Sequence, residues 1–314
     1  MRFLIVGAGA MGGYFGGRLL EKGEDVTFLV RSRRAAELAQ NGLAIKSKFG
    51  DVIIPNPPHV LSSEIDQPFD LVIVACKAYD LPETIESFAK AVGPQTAVLP
   101  LLNGMDHLRQ LATRFGPERI LGGHCLISAA LDAQHVIVHL NDTHTLGFGE
   151  LDGTRSPRIE SLTRACEGAK FTAHASSEIV QEMWEKWVFI ASAAGITCLM
   201  RSAFGDIVAA GAAALTLAMY DECEAIATHA GFPPRPAPRE RVRTLLTTSG
   251  STVTASMLKD IERGARTEAD HILGDLLRRA GTAHSEASLL NIAYAHLKAY
   301  AARRHREGEA LARA

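Results

Sequence analysis

The spacing of apolar and polar positions changes twice along this chain. Up to about residue 121, short apolar runs recur at Phe3–Val6, Val26–Val30, Leu71–Ala75, Ala97–Leu102 and Ile120–Leu121. Such runs suit strands buried on both faces. Helical stretches lie between several of them, notably Gly12–Lys22 and Glu83–Val92. Strands alternating with helices predict a parallel sheet covered on both sides. From about Asp132 the period becomes two. "HVIVHL" and "THTLGFG" alternate on either side of Asn141-Asp142, which predicts a hairpin turning there, and "KFTAHA" adds a short strand. After Ser176 the strand signal fades. Residues 178–200, 206–230, 239–247, 255–263, 267–280 and 286–304 read as helices, with a proline cluster at 233–238 parting the second from the third. The expected domains are 1–175 and 176–314, with a polar tail from Arg303 that frays.

Composition narrows the picture without redirecting it. The chain of 314 residues is 47% hydrophobic and 22% charged, as soluble globular proteins are. A net charge of −2 gives no pull toward nucleic acid. Val188 to Met200 and Ile207 to Met219 are too short and too interrupted by Ser and Thr to span a membrane. The small residues of the second stretch would allow close packing, within the chain or across a homodimer interface. A strand opens the chain where a secretory leader would need a basic region and an apolar core. Cys76, Cys125, Cys166, Cys198 and Cys223 form no CxxC pair and read as reduced thiols, so the expected location is the cytoplasm.

The chemistry starts at "FLIVGAGAMGG". Gly7-Ala8-Gly9-Ala10-Met11-Gly12 has the GxGxxG spacing between a strand and a helix. The first glycine makes the tight turn, the second admits a pyrophosphate to the backbone, and the third lets helix pack on strand. The helix then aims its amides at the phosphates. The fold class expected is α/β, a Rossmann-type doubly wound domain followed by an all-α C-terminal domain. At the end of the second strand an NAD site usually carries a carboxylate. This chain has "FLVRSRR" instead. A guanidinium can grip a 2′-phosphate bidentately, so NADP is the expected cofactor. Arg31 is the first choice for that contact, with Ser32 or Arg33 assisting.

Three further positions stand out. Lys77 in "VACKAYD" and Asn103 in "PLLNGMD" each follow a strand, where open α/β sheets bind ligands. Without more context they are an exposed loop lysine and an Asn-Gly turn. Lys186 lies in "EMWEKWVFIASAAG", among large apolar side chains. A lysine there is either snorkelling or buried for chemistry.

Together "GAGAMG", "LVR", "CKAYDL", "LNGM", "WEKW" and "SMLKDIERGARTEADHILG" resemble the ketopantoate reductase family, in order and over nearly the whole chain. The resemblance implies an NADPH-dependent reductase of a 2-oxo acid, ketopantoate first among them, within pantothenate biosynthesis. It implies that Lys186 protonates the substrate carbonyl oxygen and that Glu268 hydrogen-bonds the substrate and orients the lysine. Ser256 would meet the substrate carboxylate. Lys77 and Asn103 would hold cofactor and substrate, the asparagine between the domains. On residue type alone, Ser256 and Glu268 also suit helix starts.

The pattern breaks on the lysine helix. The family usually carries asparagines four and eight residues after the lysine, on its face. Here Ile190 and Ala194 stand there, and Val253-Thr254-Ala255 lacks the asparagine often found before the serine. Loss of such groups relaxes selection for a polar substrate. A paralogue acting on a less polar 2-oxo acid or ketone is therefore an alternative, unless a helix bulge lets another polar group such as Thr197 take over. A non-catalytic NADP-binding sensor is a third reading. The histidines, His271 and His284 among them, read as lone surface or edge residues, and no metal set is expected.

Overall fold

A computed structural model describes residues 1–281 and 287–313, with side chains to Gly308; His284 and the expected start of the last helix at 286 lie outside the described residues. The chain forms two compact units, Met1–Leu102 with His107–Val180, and Asn103–Asp106 with Gln181–Ala314.

In the first unit the elements are β1 (Arg2–Val6), α1 (Ala10–Lys22), β2 (Asp25–Leu29), α2 (Ser32–Asn41), β3 (Leu43–Lys46), β4 (Val52–Ile54), β5 (His59–Val60), β6 (Leu71–Val74), α3 (Leu81–Phe88), β7 (Ala97–Pro100), α4 (Asp106–Phe115), β8 (Leu121–Leu131), β9 (Ile137–Glu150), α5 (Pro157–Cys166) and β10 (Thr172–Ala175). One sheet has the order β5-β2-β1-β6-β7 with every pairing parallel. Its strands alternate side chains between two cores. Phe3 and Ile5 of β1 join one cluster, Leu4 and Val6 the other. That is why these strands read as unbroken apolar runs. The expected doubly wound sheet is present.

The second sheet is mixed, ordered β10-β9-β3-β4, with β8 pairing β9 antiparallel. Here the expected hairpin needs correction. Asn141-Asp142 lies inside β9, and the turn falls at 132–136, where Asp132 Oδ1 accepts from the amides of Gln134 and Val136 at 2.9 Å each. Asn141 has another task. Its Oδ1 accepts from the Ser128 amide at 2.8 Å, at the register shift between Ile127 and Ala129. An Asn used this way satisfies a bulge, where the strand cannot do so itself.

Helix α1 lies between the two sheets, and its glycines make that possible. A Cβ at Gly12 would stand 2.1 Å from the Gly7 carbonyl oxygen, and one at Gly16 would stand 2.8 Å from both Ile5 and Phe28. On its other side, a Cβ at Gly13 would reach Ile137 at 2.5 Å and one at Gly17 would reach Leu43 at 2.7 Å. Two glycine pairs at i,i+4 thus give the helix two bare faces.

The second unit holds α6 (Ile179–Met200), α7 (Phe204–Ala209), α8 (Ala213–His229), α9 (Pro236–Leu246), α10 (Ser256–Glu262), a π-helical segment at Asp270–Gly274, α11 (Asp275–Ala280) and α12 (Leu289–Arg313). The single helix expected over 206–230 is two, broken at Gly211, whose φ is +77°. The helix expected over 267–280 contains the π-helical segment, and the last helix runs on to Arg313. In the Ala-rich stretch Thr216, Met219 and Tyr220 are buried by the chain's own packing. None of the described helices is long and apolar enough to cross a membrane. None of the five cysteines, all among the described residues, is in a disulfide.

Gly16→Val tests the packing of α1. Forcing a branched side chain against Ile5 and Phe28 is expected to cost about 2 kcal/mol or more of unfolding free energy in a denaturant titration.

Candidate functional site

Gly7 turns the chain with φ +98° and donates its amide to the Leu29 carbonyl of β2 at 3.0 Å. Gly9 caps α1 without any side-chain hydrogen bond, and no acidic residue occupies the first turn of that helix. A Cβ built on Gly9 would meet nothing within 4 Å. The helix N-terminus therefore presents uncapped amides and its positive dipole end to open space, a cradle suited to a diphosphate. Ala8, Ala10 and Met11 complete this turn. Val6 and Val74 are paired neighbours, so β6 ends beside it, with the Ala75 oxygen 3.6 Å from a Cβ built on Gly7. Lys77 follows two residues later, half-buried, at this same end of the sheet.

The arginines after β2 divide their work. Arg31 is exposed and lies 3.3 Å from Glu83, with side-chain exposures of 71% and 75%. So exposed a pair is weak and easily exchanged for another anion. Ser32 opens α2 on the surface, and Arg33 reaches outward to Glu37 at 3.0 Å. Arg34, which the sequence reading passed over, folds back instead. Its Nε donates to the Ala8 carbonyl at 3.2 Å and its Nη1 to Glu37 at 3.2 Å. It fastens α2 to the glycine turn. Its spacing from Glu37 on one helix was the available signal.

In the second unit α6 is an uninterrupted helix, so no bulge moves its register. Ile190 is half-buried and Ala194 buried on the face of Lys186. Neither nearby hydroxyl replaces the missing asparagines. Ser192 Oγ donates to the Val188 carbonyl at 2.8 Å and Thr197 Oγ1 to the Ala193 carbonyl at 2.7 Å, both inside the helix's own backbone. Lys186 is half-buried, and among the described residues its ammonium makes no ion pair or hydrogen bond. Its neighbour Glu185 does not neutralise it. Burial pushes the Glu185 carboxyl up, but hydrogen bonds from Arg235 prevail and hold it below its usual range. The Arg235 side chain approaches to 2.7 Å.

The π-helical segment gathers the rest. Glu268 is buried just ahead of it, and its carbonyl accepts from the amides of His271 at 3.1 Å and Ile272 at 2.9 Å. The fully buried Trp187, next to Lys186, donates its indole N–H to the Ile272 carbonyl at 2.9 Å. A ring N–H of His271 donates to the main-chain carbonyl of Asn103. His271 is thus no lone histidine, and neither are His139 and His144, which stack with centroids 5.6 Å apart in the first unit. Through these neighbours Lys186, Glu268 and Asn103 converge on one segment. π turns of this kind recur at functional sites. Ser256 stands apart. It is the first residue of α10, exposed, and Ala255 holds the cap position. Among the described residues no group of three or more His, Cys, Asp or Glu is placed to hold a metal ion.

The family model for "Ketopantoate reductase PanE/ApbA" matches residues 3–153, and the one for its C terminal part matches residues 178–301. The chain belongs to the ketopantoate reductase family. It is an oxidoreductase of that family, similar over most of its length to several members. It is 40% identical to "Uncharacterized oxidoreductase YkpB" of Bacillus subtilis, over 96% of this chain and 99% of that protein. To the 2-dehydropantoate 2-reductase of Mesorhizobium japonicum it is 27% identical, over 87% of this chain and 89% of the relative. Among solved structures, 2-dehydropantoate 2-reductase from Geobacter metallireducens superposes with a TM-score of 0.85 at 28% identity, covering 95% of this chain and 99% of that one.

Trp187→Phe removes the indole's hydrogen bond to the Ile272 carbonyl. Unfolding free energy is expected to fall by about 1–2 kcal/mol, measured by chemical denaturation.

Proposed function

We propose that this protein is an NADPH-dependent reductase of a 2-oxo acid with an apolar side chain. The observation that carries the reading is Lys186, whose ammonium has no partner among the described residues and sits on an apolar helix face, tied through Trp187 to the π-helical segment that follows Glu268. In this reading residues 1–175 bind the dinucleotide and residues 176–314 carry the catalytic groups. The glycine turn takes the diphosphate at the N-terminus of α1. Arg31 exchanges Glu83 for the 2′-phosphate, a stronger partner for a guanidinium.

NADPH, when bound, supplies a hydride to the carbonyl carbon. Lys186 gives its proton to the carbonyl oxygen as charge develops there, so the product is a 2-hydroxy acid. Glu268 accepts a hydrogen bond from the substrate and orients the lysine. Ser256 holds the substrate carboxylate, and Lys77 and Asn103 contact cofactor and substrate. Ile190 and Ala194 offer nothing to hydrogen-bond a substrate hydroxyl, so the side chain that fits beside them is apolar. This reading needs no second copy of the chain, and its thiols and helices suit the cytoplasm.

A second reading is reduction of ketopantoate to pantoate, toward pantothenate. It is favoured by the relatives named 2-dehydropantoate 2-reductase, at 27% and 28% identity. Ketopantoate carries a hydroxyl, which this helix face leaves without a partner.

Lys186→Ala separates an enzyme from a sensor. Turnover is expected to drop about a hundredfold or more, while the Kd for NADPH from fluorescence titration stays within about twofold. Unchanged turnover in that variant would overturn the role given to the lysine.

A further inference from the structure

The Asn103-Gly104 turn belongs to the helical unit, and His271 is the side chain pressed against it. Gly104 has φ +77°. A Cβ placed there would lie 3.0 Å from His271 Cδ2, 3.0 Å from the His271 main-chain oxygen and 3.1 Å from His271 Nε2. The ring is thus packed on the glycine and hydrogen-bonded to the carbonyl one residue earlier. From the other side, the π-helical segment that carries His271 is held by Trp187 through Ile272.

We infer that His271 is a positioning residue: its imidazole fixes the Asn103-Gly104 turn against the segment that follows Glu268, and so sets where the Asn103 amide meets its ligand. The inference rests on the reading of Asn103 as a substrate- and cofactor-binding residue.

The charged groups around His271 are Glu268 ahead of the π-helical segment, Asp275 at the start of α11 and Asp106 at the start of α4. Asp275 is itself committed to Arg278 at 3.2 Å and Arg279 at 3.1 Å. Burial outweighs the three carboxylates and the bond to Asn103, and pushes the imidazole below its ordinary value. The ring is therefore neutral near pH 7, with a single N–H, and the Asn103 carbonyl takes it. A neutral ring committed to that carbonyl has one fixed tautomer.

The test is a double-mutant cycle with steady-state kinetics on a 2-oxo acid that the wild type reduces. His271→Phe keeps the ring and removes the donor, and is expected to lower kcat/KM about tenfold. His271→Gln returns an N–H donor and is expected to recover most of that loss. In an Asn103→Ala background, His271→Phe is expected to cost less than about twofold, because nothing remains to be positioned. Equal losses in both backgrounds, or wild-type kinetics in His271→Phe, overturn the inference. The hydrogen bond is read separately in the imidazole 15N shifts of the wild type, assigned by their disappearance in His271→Phe. One fixed neutral tautomer at pH 7 is expected, and averaging between tautomers overturns the inference whatever the enzyme reduces. Absence of any 2-oxo acid turnover in the wild type is instead a failure of the functional reading.

Discussion

Everything around the glycine turn of this molecule depends on the close approach of α1 to two sheets at once. Side chains on either face of that helix would hold it away from Ile5 and Phe28, or from Ile137 and Leu43. Four glycines remove them. The remaining face carries polar groups that fasten the same helix. Fully buried Arg18 donates to Glu21 at 2.7 Å and to the Gly50 carbonyl at 2.6 Å, and Tyr14 hydrogen-bonds His144 of β9 at 2.8 Å. Burying a guanidinium is tolerable only with such partners. The result is a helix whose N-terminus cannot drift from the ends of β1 and β6, where Gly9 and Lys77 stand. Preorganised amides cost nothing to orient when an anion arrives.

The second unit solves a similar problem with hydrogen bonds in place of close packing. Its proposed chemical groups come from three separate stretches of chain: the Asn103 turn, α6 and the residues around Glu268. Each stretch reaches the π-helical segment through one buried donor, His271 for the first and Trp187 for the second. Lys186 and Glu268 are each within a few residues of such a tie. Functional side chains are precise when their neighbours, and not they themselves, do the holding.

How much of this could be read beforehand follows from what each residue contributes. β1, β6 and β7 of the parallel sheet were legible because both of their faces are buried, so nearly every position is apolar. The glycine turn was legible because its spacing encodes a conformation. β3, β4 and β5 are short and half-exposed, and left no period to detect. The hairpin was misplaced because Asn141 resembles a turn residue and serves a bulge. Arg34 was passed over in favour of Arg31, since nothing local says that its guanidinium reaches back to Ala8. His271 looked like a lone histidine because its partner lies in a loop more than a hundred and fifty residues away in sequence. Long-range pairings of single polar groups carry no periodic signal, and those were the features missed. Resemblance to a family pointed to Lys186 and Glu268, while on the regular α6 the hydroxyls of Ser192 and Thr197 near Ile190 and Ala194 are both spent on the helix's own backbone.

What the Lys186 face of α6 accepts therefore decides the substrate. The most direct measurement is kcat/KM, from the loss of NADPH absorbance, for ketopantoate beside 2-oxo acids of similar size whose side chains lack a hydroxyl. The apolar substrates are expected to be reduced with kcat/KM higher by about tenfold or more, the discrimination that one unpaired buried hydroxyl gives. A clear preference for ketopantoate would contradict it, and would mean that a polar group away from α6 does the work of the absent asparagines.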